Sequence, residues 1–390
     1  MISVEEALTA LFRLVAPLEA EEVPLRAAAG RVLARPVAAR RSQPPFAASS
    51  MDGYALRAAE LEPGASFRVI GEAAAGHRHG GTVPAGHAVR IFTGAPVPEG
   101  ADFVVIQEDV TRDGDRVVLT GKPDGNPNIR PEGGDFRKGA ILSAPRRLTP
   151  SDVALLASMN IAQVPVTRRP RIALLATGDE LVLPGEDPGA DQIIASNSFG
   201  LAAMIEALGA EARLLPVARD NAPSLSAAFE LARGADLLVT IGGASVGDHD
   251  LVGAVAGGLG MEQAFYKVAM RPGKPLMAGR LGEMALLGLP GNPVSAMVCG
   301  TVFLSPMIRA MQGLGQAPAP RESAPLAAPL AANGPREHYM RARLEDGALR
   351  VFDRQDSSLL TVLAEANALV IRRKGDPERA TGEHLPYIAL

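Results

Sequence analysis

From Arg171 onward, apolar runs of strand length alternate with longer runs of helix length. RIALLATG, EARLLPVARD, DLLVTIGG and EMALLGLPG read as strands, and SFGLAAMIEALG, SLSAAFELARG and PVSAMVCGTVFLSPMIRAM read as helices. A helix between two strands carries the chain back across the sheet, so the strands it joins run parallel. The fold class expected here is α/β, with a parallel, helix-covered sheet. Such sheets take their ligands at the carboxyl ends of their strands.

The flanks have a different rhythm. Ser3 with Glu6 makes a capping box that opens a helix through about Val15. After Arg40 come FRVIGEA, AVRIFTG, ADFVVIQEDV and RVVLTG, short strand-like runs between Gly/Pro turns, and they predict a small β-rich region. Thr149-Pro150-Ser151-Asp152 starts another helix, with Pro at its first position, which ends near Asn160. Beyond the α/β segment, QAPAPRESAPLAAPLAANGP reads as a linker or irregular edge. HYMRARLEDGALRVF then alternates around Asp346-Gly347, a hairpin signal that predicts a second small β-rich region.

Composition narrows the function classes. Lys and Arg total 39 against 43 Asp and Glu, so no global field points to nucleic acid or an anionic membrane. Cys299 is the only cysteine, which excludes an intrachain disulfide and a cysteine-rich metal site and fits a reducing compartment. Glu5 and Glu6 stand where a secretory signal would be basic. The most apolar region, ALLGLPGNPVSAMVCGTVFL, is interrupted by Pro290, Gly291, Asn292 and Pro293, so no membrane span is expected. The expectation is a cytoplasmic protein with neither nucleic acid nor membrane as partner.

GGASVGDHD follows the strand DLLVTI. Gly242, Gly243 and Gly247 let backbone N–H groups approach an anion, and Ser245 adds a hydroxyl. Yet Asp248 and Asp250 close the same loop, and carboxylates repel phosphate. A hard divalent cation such as Mg²⁺, which takes carboxylate and phosphate oxygens together, resolves the conflict. Glu180, Asp220 and Asp250 all lie where successive strands finish, and are the candidate metal ligands. Arg271 and Lys274 in MRPGKP suit an oxyanion, although an ordinary basic turn fits as well. LPGNPVSAM opens a helix at Pro293, with Ser295 in its first turn as a possible donor to a ligand. Asp52-Gly53 and Thr93-Gly94, taken alone, read as turns; His77 and His79 read as loop residues.

Taken in order, SSMDGYAL, FTGAPVPEGAD, RPEGGDFRKG, LLATGDELVLPG, IIASNS, GGASVGDHD, MRPGKP, LPGNPVSAM and DSSLLTVLAEANALV resemble one family across nearly the whole chain. It is the molybdopterin molybdenumtransferases (MoeA), which include the E domain of gephyrin. The resemblance implies a MoaB/Mog-like pterin-binding α/β domain at 169–315 in an elongated multidomain subunit. Around it are expected a helical linker domain (1–42 and 141–168), a β-rich domain (43–140) and a β-barrel-like domain (318–390). It implies a homodimer that joins molybdate, as substrate, to the dithiolene sulfurs of adenylylated molybdopterin and releases AMP. The molybdopterin adenylyltransferase and apo-molybdoenzymes or their chaperones are the further partners it suggests.

Carried over by position, the implied catalytic residues are Asp52, Thr93, Asp135, Glu180, Asp220 and Asp250. Arg271, Lys274, Ser295, Arg341 and Ser357 match the molybdate side, beside the loop Gly242, Gly243, Ser245 and Gly247. Two positions depart from the family's pattern: Ser50 stands where Ala is frequent, and Asn221 replaces the second acid of an Asp-Asp pair. A non-catalytic pterin-binding scaffold and a nucleotide pyrophosphatase are the competing functions.

Overall fold

The computed structural model describes residues 1–243 and 251–390, so Ser245, Gly247, Asp248 and Asp250 lie outside the described residues. By compactness the chain forms two units. Met1–Glu21, Gly30–Ala34 and Val166–Leu390 make one; Glu22–Ala29 and Arg35–Pro165 make the other.

Helix α1 (Val4–Leu14) opens the chain, and its capping box is formed: Ser3 accepts from the Glu6 amide while Glu6 accepts from the Ser3 amide. The second unit then builds a six-stranded sheet from β1 (Gly53–Leu56), β2 (Ser66–Ala73), β3 (His87–Ile91), β4 (Phe103–Ile106), β5 (Val110–Asp113) and β6 (Arg116–Leu119). Its order is β4-β1-β3-β2-β6-β5, antiparallel except for the β2–β3 pair. Inward side chains make two small cores, one around Tyr54, Leu56, Phe67 and Val105, the other around Ala55, Val89 and Ile91. Helix α2 (Pro150–Ser158) starts as its Thr-Pro signal predicts, with Thr149 and Asp152 forming a second capping box.

In the first unit, strands β7 (Arg171–Ala176), β8 (Glu211–Leu214) and β9 (Leu237–Ile241) alternate with α3 (Asn197–Ala207), α4 (Ala222–Leu231) and α5 (Leu251–Gly258). Then come β10 (Glu262–Tyr266), β11 (Met270–Arg271), β12 (Met277–Leu281) and β13 (Met284–Leu289). The sheet order is β8-β7-β9-β13-β12-β10. The first four strands run parallel, as expected, but β12 and β10 add an antiparallel edge. Strand β9 is buried throughout, as a central parallel strand covered on both faces must be.

The segment Pro293–Met311 is helical throughout: α6 (Pro293–Cys299), a π-helical turn at Gly300–Leu304, and α7 (Ser305–Met311). Among the described residues this is the one helix long and apolar enough to cross a membrane, yet most of it is buried inside the unit. Gly300 lets α3 approach closely, because a Cβ there would stand 2.8 Å from Leu201 and 3.0 Å from the sulfur of Met204. The remaining chain forms β14 (Glu322–Pro325), β15 (Glu337–Glu345), β16 (Ala348–Val351), α8 (Leu360–Glu365), β17 (Ala368–Arg372) and β18 (His384–Ala389). The predicted hairpin is present: β15 and β16 pair across Asp346 and Gly347, both at positive φ. The sheet runs β11-β15-β17-β18-β14, so β14 forms its edge inside the Ala/Pro-rich segment. Tyr339, Leu369 and Ile371 of this sheet share one core with α1, α6 and the parallel strands.

Candidate active site

The carboxyl ends of β7, β9 and β13 open onto one cavity of about 720 Å³. Thr177 and Glu180 follow β7, Gly242 and Gly243 follow β9, and Pro290 to Pro293 follow β13. Asp220 reaches the same cavity from the segment after β8. The run EARLLPVARD predicts Asp220 at a strand end. The strand stops at Leu214, and an isolated bridge between Thr177 and Ala218 carries the extra length back to the site.

Backbone geometry fixes the glycine pair. Gly242 has φ +90° and Gly243 φ +66°, the left-handed region that side chains rarely adopt. A Cβ on Gly242 would lie 2.8 Å from the carbonyl oxygen of Thr177. One on Gly243 would press into Val252 and stand 2.9 Å from Thr177 Oγ1. Thr177 itself is 4% exposed, and its hydroxyl has no hydrogen-bond partner among the described residues. An orphan hydroxyl beneath two cavity-lining glycines is a polar floor suited to oxygen-rich ligands.

The acids lie close enough to repel one another. Asp220 has its carboxyl pushed above the usual carboxylate range, first by partial burial and then by the charges of Asp179 and Glu180. Its amide donates to Asp179 Oδ1 at 3.3 Å, and Arg219 is turned to the Asp179 carbonyl at 2.7 Å. Among the described residues no group of three His, Cys, Asp or Glu could hold a metal ion by itself. Glu180 and Asp220 fit the one or two carboxylates that Mg²⁺ takes beside phosphate and water. Asn221, which departs from the family pattern, caps α4 by accepting from the Ser224 amide at 3.0 Å.

Polar residues not predicted as site residues also line the cavity: Thr177, Ser196, Asn197, Ser198, Asn292 and Ser358. Asn197 donates to the Gly291 carbonyl at 2.7 Å, tying the start of α3 to the loop before α6. The signal available was IIASNS, polar residues bunched just before an apolar helix.

The expected molybdate-side residues divide. Arg271, exposed on β11, pairs in register with His338 of β15. Lys274 follows through the tight Gly273 turn, where φ is +107° and a Cβ would enter Cys299. Ser295 is 3% exposed and is not among the cavity's lining residues. Arg341 is 1% exposed and holds the loop after β16, donating to Gln355 Oε1 (3.1 Å) and to the carbonyls of Asp356 (2.7 Å) and Arg354 (3.4 Å). Ser357 on that loop accepts from Asn292 Nδ2 at 3.2 Å, and its carbonyl accepts from the Val294 amide at 3.0 Å. The loop thereby presents Ser358 to the cavity.

The other unit brings Asp52 and Thr93 together. Asp52 Oδ1 accepts from both the amide (2.7 Å) and the hydroxyl (2.8 Å) of Thr93. These two bonds, with Arg90 nearby, hold the Asp52 carboxyl below its usual range. Asp135 is exposed on a loop anchored by its amide to the Gln43 carbonyl at 3.0 Å.

Comparison with known proteins matches every part of this architecture. Residues 2–160 fit the MoeA N-terminal region (domain I and II), 173–310 a probable molybdopterin binding domain, and 323–390 the MoeA C-terminal region (domain IV). The molybdopterin molybdenumtransferase of Nostoc sp. is 34% identical, covering 100% of this chain and 94% of its own. That of Haemophilus influenzae is 38% identical over 81% of this chain and 79% of its own. Among solved structures, a molybdopterin biosynthesis MoeA protein from Pyrococcus horikoshii superposes with a TM-score of 0.87 at 27% identity, covering 100% of both chains. By sequence over its full length and by fold, the chain belongs to the MoeA family of molybdopterin molybdenumtransferases.

Proposed function

We propose that this protein inserts molybdate into adenylylated molybdopterin, releasing AMP and yielding molybdenum cofactor. One observation carries the reading. A single cavity joins a glycine pair open to phosphoryl oxygens, Gly242 and Gly243, with two carboxylates, Glu180 and Asp220, whose mutual repulsion calls for a cation. The names of full-length relatives support the same activity.

In this reading Glu180 and Asp220, with Asp250, would hold Mg²⁺. Bound there, the ion supplies charge neutralisation at the phosphoryl oxygens. The amides of the Gly242–Gly247 loop and the hydroxyl of Ser245 take the remaining phosphate oxygens. Arg271 and Lys274 attract molybdate, assisted by Ser295, Arg341 and Ser357. Unit charges at 4 Å attract by about 4 kcal/mol at an effective dielectric of 20, enough to make their placement matter. Asp52, Thr93 and Asp135 contribute from the β-rich segment. The reading also includes a homodimer, carried over from the family resemblance, and a cytoplasmic location, which the lone cysteine of the sequence fits. The limits of the α/β and C-terminal segments are supported by the breaks between the family matches, while a single match spans the helical and β-rich segments of the first 160 residues.

The test is purified protein with adenylylated molybdopterin, Mg²⁺ and molybdate, following AMP and protein-bound molybdenum together. Matched appearance of both is expected, with loss of both in Asp250→Ala. Hydrolysis of ATP or NAD without molybdate would replace the reading with a pyrophosphatase. Stoichiometric pterin binding without turnover would replace it with a scaffold.

A further inference from the structure

Arg90 sits on β3 with both terminal nitrogens of its head group engaged. Its guanidinium lies 5.0 Å from the ring centre of Tyr54 and 4.8 Å from that of Phe92. Nη1 donates to the Gly53 carbonyl at 3.2 Å and Nη2 to Gln107 Oε1 at 2.7 Å. Gln107 in turn donates its amide to the Asp52 carbonyl at 3.1 Å. The guanidinium therefore bonds the Gly53 carbonyl directly and reaches the Asp52 carbonyl through Gln107, which follows β4.

The consequence falls on the Asp52 side chain. One carboxylate oxygen is used twice, by the amide and hydroxyl of Thr93, and among the described residues no hydrogen bond reaches Oδ2. Thr93 follows Phe92, one of the two rings that hold Arg90, so both ends of the Asp52–Thr93 contact hang from the same cation. Either basic side chain can lie over an aromatic ring, but donating to two separate acceptors from one seat beside two rings requires a planar fork. Lysine supplies the charge but not the fork.

We infer that Arg90 is a positioning residue for Asp52: by clamping Gly53, Gln107 and Phe92 it fixes the Asp52–Thr93 pair and leaves the second carboxylate oxygen of Asp52 directed at a reacting partner. The inference rests on the proposed transferase reading, in which Asp52 takes part in catalysis.

A double-mutant cycle on the full-length protein tests it, using Arg90→Lys, Asp52→Asn and their combination, with AMP release measured at saturating and limiting molybdate. Arg90→Lys is expected to lower kcat roughly tenfold, as for coupled neighbours, with the KM for molybdate unchanged. In the Asp52→Asn background the same substitution should cost nothing further. A full additional tenfold loss there would make Arg90 a general support of the fold and overturn the inference. A raised molybdate KM would place Arg90 on the molybdate instead and also overturn it. If Asp52→Asn alone retains wild-type turnover, the failure lies with the role given to Asp52. Thermal melting of each variant separates loss of fold from loss of position, and Arg90→Gln, which keeps a planar donor without charge, is expected to recover part of the rate.

Discussion

The Nη1 of Arg341 donates to the backbone carbonyl of Asp356 at 2.7 Å, and the arginine that makes this bond is 1% exposed. The resemblance places Arg341 beside the oxyanion; its observed bonds hold the loop that carries Ser357 and Ser358. Arg341→Met should therefore leave buried carbonyls unsatisfied and cost about 2–4 kcal/mol. Urea unfolding, together with new protease cleavage after Arg354, would register it. Unchanged stability and cleavage would leave ligand contact as its sole role.

Asp220 bears a charge its surroundings disfavour, through burial and the nearby Asp179 and Glu180. Asp220→Asn removes that repulsion, so the melting temperature should hold or rise while AMP release falls by a hundredfold or more, on the order of a lost charge partner. A variant that melts lower yet retains turnover would contradict both halves.

Gly243→Ala tests the cradle. At φ +66°, with a Cβ pressed into Val252 and 2.9 Å from Thr177 Oγ1, the added methyl should cost about 1–3 kcal/mol. Chemical denaturation reads this directly, and a wild-type midpoint would mean the loop can relax.

His338 is 7% exposed and faces Arg271, Arg341, Arg336 and Arg372. Burial first, then these four cations, hold its pKa down to about 4 from an ordinary 6.5. Between those values the unfolded chain binds the extra proton and the folded one does not. Stability is consequently full above about pH 6.5 and declines as pH falls toward 4, by up to about 3 kcal/mol. His338→Gln should flatten that part of the profile. Urea midpoints at pH 7.0, 5.5 and 4.5 decide, and parallel slopes for the two proteins would refute the assignment.

Much of this was legible in the sequence because periodicity and capping act locally. The parallel strands, the Ser3 and Thr149 helix starts and the Asp346-Gly347 hairpin all follow from residues within a few positions of one another. The antiparallel edge was not, because EQAFY and MAGRL flank the MRPGKP turn, whose prolines and glycine dominate the local signal. Strand β14 was hidden by Ala and Pro and owes its existence to pairing with β18. At the site, the strand-end acids were visible, but Thr177, Asn197 and Ser358 meet only through the tertiary fold. The bonds of Arg341 to Gln355 and Asp356 likewise depend on how a loop returns to a strand.

Gly53 pairs with Ile106 on β4, and a Cβ at this position would fall on the carbonyl oxygen of Val105. No other amino acid can occupy it without separating the two strands. Any lineage or library that diversifies the surroundings of Asp52 must therefore work through Ser50 and Met51 on one side, since the other neighbour admits no alternative. A screen that reports tolerated side chains at 53 would be reporting rebuilt sheets.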